Sequence, residues 1–285
     1  MLPIKKLLRM TNQHKEGTFQ GANGWKLYYQ SWHPPIAAKA VLVIVHGHGG
    51  HSGIFTRMIN YLLERNYAVY IFDLRGNGRS PGQRGYINNW AEFREDLTAF
   101  LELVTAENPD LPLFLIGQSL GGTIALDYVL HQSNSIKGLI LMSPALGLGI
   151  ASWKLLLAQI LSAILPHFAL DAGIDISACS RDAKVIAAAE QDSLRHSQGT
   201  ARLTTELLKT IDWIKADATE LKIPLLILHG GADRVTLAES SKAFFESLTL
   251  TDREIREYPD CRHELHHDLN YLKVLADIAD WLNRH

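Results

Sequence analysis

Six short strand-like runs, most of them continuous in Val, Ile and Leu, punctuate the chain: AVLVIVHG (40–47), AVYIFDL (68–74), LFLIGQS (113–119), GLILMSP (138–144), PLLILHG (224–230) and REIREYP (253–259). Stretches with a helical period lie between and after them, near 54–65, 89–107, 120–132, 237–248 and 267–284. Continuous apolar runs suit strands buried on both faces, and their alternation with helices predicts a mostly parallel sheet in an α/β fold. Ahead of them TFQ and GWKLYYQSW, joined around Asn23-Gly24, predict an antiparallel opening pair, because Asn and Gly tolerate the positive φ of a tight hairpin. The rhythm breaks from about Ala145 to Lys222, where only helical stretches such as SWKLLLAQILSAIL and TARLTTELLKTIDWIKAD are apparent. Such an insertion in an α/β chain sits over the C-terminal edge of the sheet. A helical cap over 145–216 is therefore expected, with 1–144 and 217–285 forming the core.

The sharpest local signal is GQSLGG, Gly117 to Gly122, placed directly after a strand and before a helix. In that context G-x-S-x-G reads as a nucleophile elbow, with Gly117 and Gly121 admitting a turn too tight for a Cβ and Ser119 exposed at a helix N-terminus. A serine hydroxyl needs an imidazole to take its proton and a carboxylate to orient that imidazole. LLILHGGADRV places Asp233 after one strand, and IREYPDCRHEL places His263 after the next, in the chain order Ser, Asp, His. Asp260 is a competing acid, though its place after Pro259 suits a turn. Most of the other histidines among the 13 are expected at the surface.

An oxyanion needs two N–H donors. Leu120, after the nucleophile, supplies one, and His48 in the glycine-rich turn VLVIVHGHGGHSG supplies the other. His46, His48 and His51 could instead form a metal cluster, but no acidic or cysteine ligand lies beside them. CRHELHHD also contains the literal pattern H-E-x-x-H (His263, Glu264, His267), a zinc motif when it lies on a helix. No later glutamate follows to complete that ligand set, and the preferred reading puts His263 in a loop, with Glu264, His266, His267 and Asp268 opening the last helix. No metal or organic cofactor is called for.

Taken together, HGHGGHSG, DLRGNGRS (73–80), GQSLGG, HGGADRV and YPDCRHEL resemble the α/β-hydrolase superfamily, most closely its monoacylglycerol lipase and lysophospholipase branch, from about Gly24 to the C-terminus. The resemblance implies an eight-stranded, mostly parallel sheet with an inserted helical lid. It implies Ser119 as nucleophile, Asp233 as acid, His263 as base, and His48 and Leu120 as oxyanion donors. DLRGNGRS then resembles a structural loop, and as a dinucleotide loop it lacks the third glycine, with Pro81 in its place.

Composition narrows the partners. Lys plus Arg (28) nearly balances Asp plus Glu (30) over 285 residues, which disfavours nucleic acid. Two cysteines without CxxC spacing fit a reducing compartment, and MLPIKKLLRM lacks the continuous apolar run of a secretory signal. LLLAQILSAILP (155–166) is too short to span a bilayer. Its wide apolar surface suits either packing within the cap or a lid that lines an acyl tunnel and touches membranes or micelles. The expectation is a cytoplasmic enzyme, at most peripheral at a membrane, that hydrolyses esters of monoacylglycerol or lysophospholipid type. A short-chain esterase, thioesterase or peptidase is the alternative, and a non-catalytic receptor on the same scaffold is disfavoured by the intact triad.

Overall fold

The computed structural model describes residues 13–133, 135–147, 152–173 and 175–285, with only the backbone described for 152–156. The MLPIKKLLRM segment and the side chain of Trp153 lie outside the described residues.

The opening hairpin pairs β1 (Gln13–Gln20) with β2 (Lys26–His33) in antiparallel register. Asn23 and Gly24 turn it at φ of 58° and 73°, the positive values for which these residue types are suited. β2 then pairs antiparallel with β4 (Tyr67–Phe72). From there the sheet is parallel, through β3 (Ala40–Val45), β5 (Leu113–Gln118), β6 (Gly138–Met142), β9 (Leu225–Gly230) and β10 (Arg253–Tyr258). The eight strands lie in the order β1-β2-β4-β3-β5-β6-β9-β10.

The alternation of side chains along each strand divides the core in two. Leu42, Ile44, Ile116 and Leu228 face α1 (Thr56–Leu63) and α8 (Tyr271–Leu282), whose Met58, Leu62, Ile278 and Trp281 join the same cluster. Val43, Val45, Leu115 and Ile227 face the other way, with Phe100 of α2 (Ala91–Glu107), Ile124 of α3 (Leu120–His131) and Phe244 of α7 (Ala238–Ser247). Both faces are covered, so β3, β4, β5, β6 and β9 are buried from end to end.

Between β6 and β9 run α4 (Ser152–Ile164), β7 (Ala169–Asp171), α5 (Ala183–Glu190), β8 (Gln198–Thr200) and α6 (Ala201–Ala216). The insertion is thus not wholly helical, because β7 and β8 form a small antiparallel ribbon. Three-residue strands carry too little alternating pattern to stand out in a sequence. The last helix also starts later than its periodicity suggests, at Tyr271. Residues 264–268 are drawn into buried ion pairs that a helical path does not offer, as described next.

Candidate active site

Loops at the C-terminal ends of β3, β4, β5, β9 and β10 converge on Ser119. Between β5 and α3 this serine adopts φ 55° and ψ −122°, a strained conformation held by the tight strand-to-helix turn. A Cβ on Gly117 would come within 2.5 Å of the Gly121 carbonyl oxygen, and one on Gly121 would run into the carbonyl of Val45. Both glycines are sterically required. A Cβ on Gly47 would lie 2.8 Å from Ser119 Cβ, which measures how closely the β3 loop carrying His48 approaches the elbow. Leu120 is the first residue of α3.

Asp233 and His263 meet as expected from their positions after β9 and β10. His263 Nδ1 donates to Asp233 Oδ2 at 2.7 Å, and Asp233 Oδ1 accepts the backbone N–H groups of Val235 and Thr236 at 2.7 and 3.1 Å. The Thr236 hydroxyl and His229 Nε2 also approach Oδ2, at 3.0 and 3.2 Å. Burial works to raise the Asp233 carboxyl, but the hydrogen bonds from His229 and His263 and the charge of His263 outweigh it and hold the group far below the ordinary carboxylate range. Asp260 is exposed on the turn after β10 and leaves the imidazole to Asp233.

Two neighbours were not singled out from sequence. His229, buried at the end of β9, braces Asp233 from a second side while its Nδ1 meets the Ser241 hydroxyl at 2.8 Å. Its spacing of four before Asp233, across a strand end, is the one signal that could have marked it. Gln118 stands beside the imidazole, its amide Nε2 3.3 Å from His263 Nε2. With Nδ1–H given to Asp233, Nε2 is the accepting nitrogen, and the Gln118 amide occupies its lone pair.

Four of the other histidines depart from the surface position expected of most of them. His46, His51, His229 and His266 are all buried. His46 donates from Nδ1 to the Gly47 carbonyl at 2.7 Å and accepts the Leu74 N–H on Nε2 at 2.9 Å. His51 accepts the Gly53 N–H on Nδ1 and bonds Asp192 through Nε2 at 2.8 Å. With both nitrogens of His46 and of His51 committed to building the loop, the His46-His48-His51 set is poorly suited to hold a metal.

DLRGNGRS locks that loop to the core. Asp73 accepts the backbone N–H groups of Ser52 and Arg79, at 2.6 and 2.8 Å. Arg75 forms a buried fork on Asp96, at 2.7 and 2.8 Å, and also pairs with Glu92 at 2.9 Å. Asn77 Oδ1 accepts the Gly49 N–H at 3.1 Å. These contacts set the backbone path on either side of His48.

His263, Glu264 and His267 do not form a helical zinc motif, since residues 264–268 precede α8. Glu264 takes a two-pronged contact from Arg195 of the insertion, at 2.9 and 3.1 Å, and accepts from His267 Nδ1 at 3.0 Å. Asp268 pairs with Arg181 at 2.6 Å and accepts the Arg262 N–H at 3.0 Å. The three side chains that do cluster are Glu264, His266 and His267. A guanidinium already occupies the only carboxylate among them, and His266 stacks flat on Phe55 at 4.4 Å, so the group is poorly suited to a dication.

Two cavities open on Ser119. One, of about 530 Å³, is walled by Leu120, Ala145, Leu203, Leu207, Val235 and Leu237. The other, of about 470 Å³, mixes polar and apolar groups in similar shares and reaches from Gln118 and His263 to Asp192, Arg195 and His196. His48 borders both.

Residues 36–270 match the family model described as serine aminopeptidase, S33. The chain is 34% identical over 231 residues to phospholipase YtpA of Bacillus subtilis, covering 79% of this chain and 88% of that protein. It is 27% identical over 279 residues to the monoacylglycerol lipase of Mycolicibacterium smegmatis, covering 97% and 99%. The crystal structure of Paleococcus ferrophilus monoacylglycerol lipase superposes with a TM-score of 0.81 at 30% identity, covering 90% of this chain and 98% of that one. With its eight-stranded sheet, its elbow serine and a family match that spans most of its length, the chain belongs to the serine aminopeptidase S33 family of α/β-hydrolases, on the branch that holds the monoacylglycerol lipases.

Proposed function

We propose that this carboxylic ester hydrolase cleaves esters of single-chain lipids, of the monoacylglycerol or lysophospholipid type, through an acyl-enzyme on Ser119. Ser119 Oγ attacks the ester carbonyl carbon while His263 Nε2 takes the hydroxyl proton and Asp233 holds the ring in the required tautomer. The oxyanion that forms is received by the backbone N–H groups of His48 and Leu120. As the carbonyl re-forms, the C–O bond to the alcohol breaks and His263 returns the proton to the leaving oxygen. Water, deprotonated by the same nitrogen, then attacks the acyl-Ser119 ester and releases the fatty acid. At the first step Gln118 must yield His263 Nε2 to the serine.

The observation that carries this reading is the pair of cavities meeting at Ser119. An apolar wall of Leu203, Leu207 and Leu237 suits an alkyl chain, and the more polar cavity suits an alcohol. The relatives named monoacylglycerol lipase and phospholipase lend it support. Access from a lipid surface is part of the same proposal. Leu157, Ile160, Ile164, Leu165, Phe168 and Leu170, along α4 and into β7, are about half exposed, a density of apolar side chains that suits contact with membranes or micelles. No helix among the described residues is long and apolar enough to cross a membrane.

The test is hydrolysis of 1-monoacylglycerols and lysophospholipids of graded chain length, beside short p-nitrophenyl esters, by the wild type and Ser119→Ala. Long-chain turnover that vanishes in the alanine variant is the expected result. Turnover confined to short esters would replace the lipase reading with a general esterase.

A further inference from the structure

Arg195 and His196 lie in the insertion, between α5 and β8, and each grips a different strand-end loop. Arg195 places both terminal nitrogens on the carboxylate of Glu264, the residue after His263, at 2.9 and 3.1 Å. The fork is shielded from water, with 14% of the Arg195 side chain and 8% of the Glu264 side chain exposed. Burial works to raise the Glu264 carboxyl, but the hydrogen bond from His267 and the Arg195 guanidinium hold it well below its ordinary range, so the fork stays ionised. The Glu264 N–H also donates into the insertion, to the carbonyl of Cys179 at 2.7 Å. Side chain and backbone of the residue after the proposed base are thus both held from the insertion.

His196 holds the other loop. Its backbone N–H donates to the Gly49 carbonyl at 3.2 Å, and its Nε2 lies 2.9 Å from Asn77 Oδ1, which also accepts the Gly49 N–H at 3.1 Å. Asn77 gives its Nδ2 to the Arg75 carbonyl at 2.9 Å, so Oδ1 faces the ring and Nε2 is the protonated nitrogen of His196. Burial, with the charges of His48 and Arg84, lowers that imidazole to about 4, and it remains a neutral donor at pH 7. Gly49 follows His48, the proposed oxyanion donor, and at φ 67° leaves no room for a Cβ against the His196 carbonyl. The two loops follow β3 and β10, and the sheet places β5, β6 and β9 between those strands. Two adjacent residues of the insertion therefore bridge loops that the sheet holds three strands apart.

We infer that Arg195 and His196 are positioning residues for the reaction, a clasp through which the insertion sets the His263 imidazole and the His48 N–H relative to Ser119. The inference rests on the ester hydrolysis proposed above. Arg195 acts through Glu264 on the loop of the base, and His196 acts through Gly49 and Asn77 on the peptide beside the oxyanion donor. Both effects are realised in the transition state, where a misplacement of about 1 Å costs on the order of 10²-fold in rate. The expected signature of a broken clasp is a loss in kcat with KM little changed. A side chain that only lined the cavity and met substrate there would show the opposite split.

The experiment measures kcat and KM with p-nitrophenyl butyrate, and Ki for an alkyl trifluoromethyl ketone, whose adduct with a serine carries an oxyanion like that of the transition state. Each variant is assayed below its unfolding midpoint. Arg195→Met and His196→Leu should each lower kcat about 10- to 100-fold with KM within about threefold, and raise Ki in proportion to the loss in kcat/KM. Should Arg195→Met not fold, Arg195→Met/Glu264→Gln carries the test, since it leaves no carboxylate buried without its cation. His196→Gln, which can present an amide N–H to Asn77, should recover most of the loss seen with leucine. Asp182→Asn is the control. It cuts another pair between insertion and core, Arg57 with Asp182 at 2.8 Å, yet keeps an acceptor for the Lys184 N–H, and should stay within about twofold of wild type in kcat and Ki. Unchanged kcat in the folded Arg195 and His196 variants, a change confined to KM, or an equal loss in Asp182→Asn overturns the clasp while leaving ester hydrolysis standing. If the wild type cleaves no ester and does not bind the ketone, the hydrolase reading fails and the clasp with it.

Discussion

The strand-end loops around Ser119 and the insertion between β6 and β9 treat polar and apolar groups in opposite ways. In the loops the side chains that set the backbone path are partnered, Asp73 by backbone N–H groups, Arg75 by Asp96 and Glu92, His46 by Leu74 and Gly47, Asp233 by His229 and His263, while His48 Nε2, Ser143 Oγ and the His266 ring are not. The insertion leaves Ile164, Phe168 and Leu170 more than half exposed and sets the carboxylates of Asp171, Asp175 and Glu190 along the cavity beside Gln118. The contrast separates two tasks. Loops that fix catalytic geometry need satisfied hydrogen bonds, because a group displaced by an ångström loses its function. A segment that meets substrate needs groups left free for it.

The insertion is nevertheless tied to the core at its inner edge. Arg57 with Asp182, His51 with Asp192, Arg195 with Glu264 and Arg181 with Asp268 each join one region to the other. Glu264 of the H-E-x-x-H stretch and Asp268, the residue after it, supply two of these four pairs.

Four experiments would break or sharpen the contrast. The largest effect is expected at the elbow: Ser119→Ala should lower kcat/KM by about 10⁴-fold or more with the fold retained, and Asp233→Asn by a similar order through the wrong imidazole tautomer. Retained turnover in the alanine variant would remove Ser119 from the chemistry.

Next comes the loop brace. Arg75→Met leaves Asp96 and Glu92 buried without their partner, at a cost of about 3–5 kcal/mol in unfolding free energy. A denaturant midpoint unchanged from wild type would show the fork to be dispensable.

A smaller effect is expected at Gln118. Replacing it with alanine removes the amide that competes with Ser119 for His263 Nε2, so kcat/KM should rise by up to about fivefold, the scale of one ordinary hydrogen bond. A fall instead would show that the amide steadies the ring during reaction.

The smallest effect belongs to the outer face. Ile164→Ser/Phe168→Ser should weaken sedimentation with phosphatidylcholine vesicles several-fold, with about 1–2 kcal/mol lost in binding and soluble short esters turned over as before. Unchanged vesicle sedimentation would assign those side chains to surface packing alone.

What the sequence determined by itself was the α/β frame and which strand ends carry the candidate residues. Buried strands such as AVLVIV and LLILHG declare themselves by continuous apolar runs, and GQSLGG is legible because a strand-to-helix turn around an exposed serine admits few residues. Asp233 and His263 were found because strand ends are where such loops carry function. Only the tertiary structure decided the rest. His229, Gln118 and the Arg195-Glu264 fork act through contacts between residues 4 to 145 positions apart in sequence, and no local period records a contact of that kind. The stretch from Glu264 to Asp268 has the composition of a helix start, yet two arginines of the insertion draw its acids inward and delay α8 to Tyr271. The β7–β8 ribbon was equally illegible, because it exists only once distant segments are folded against one another.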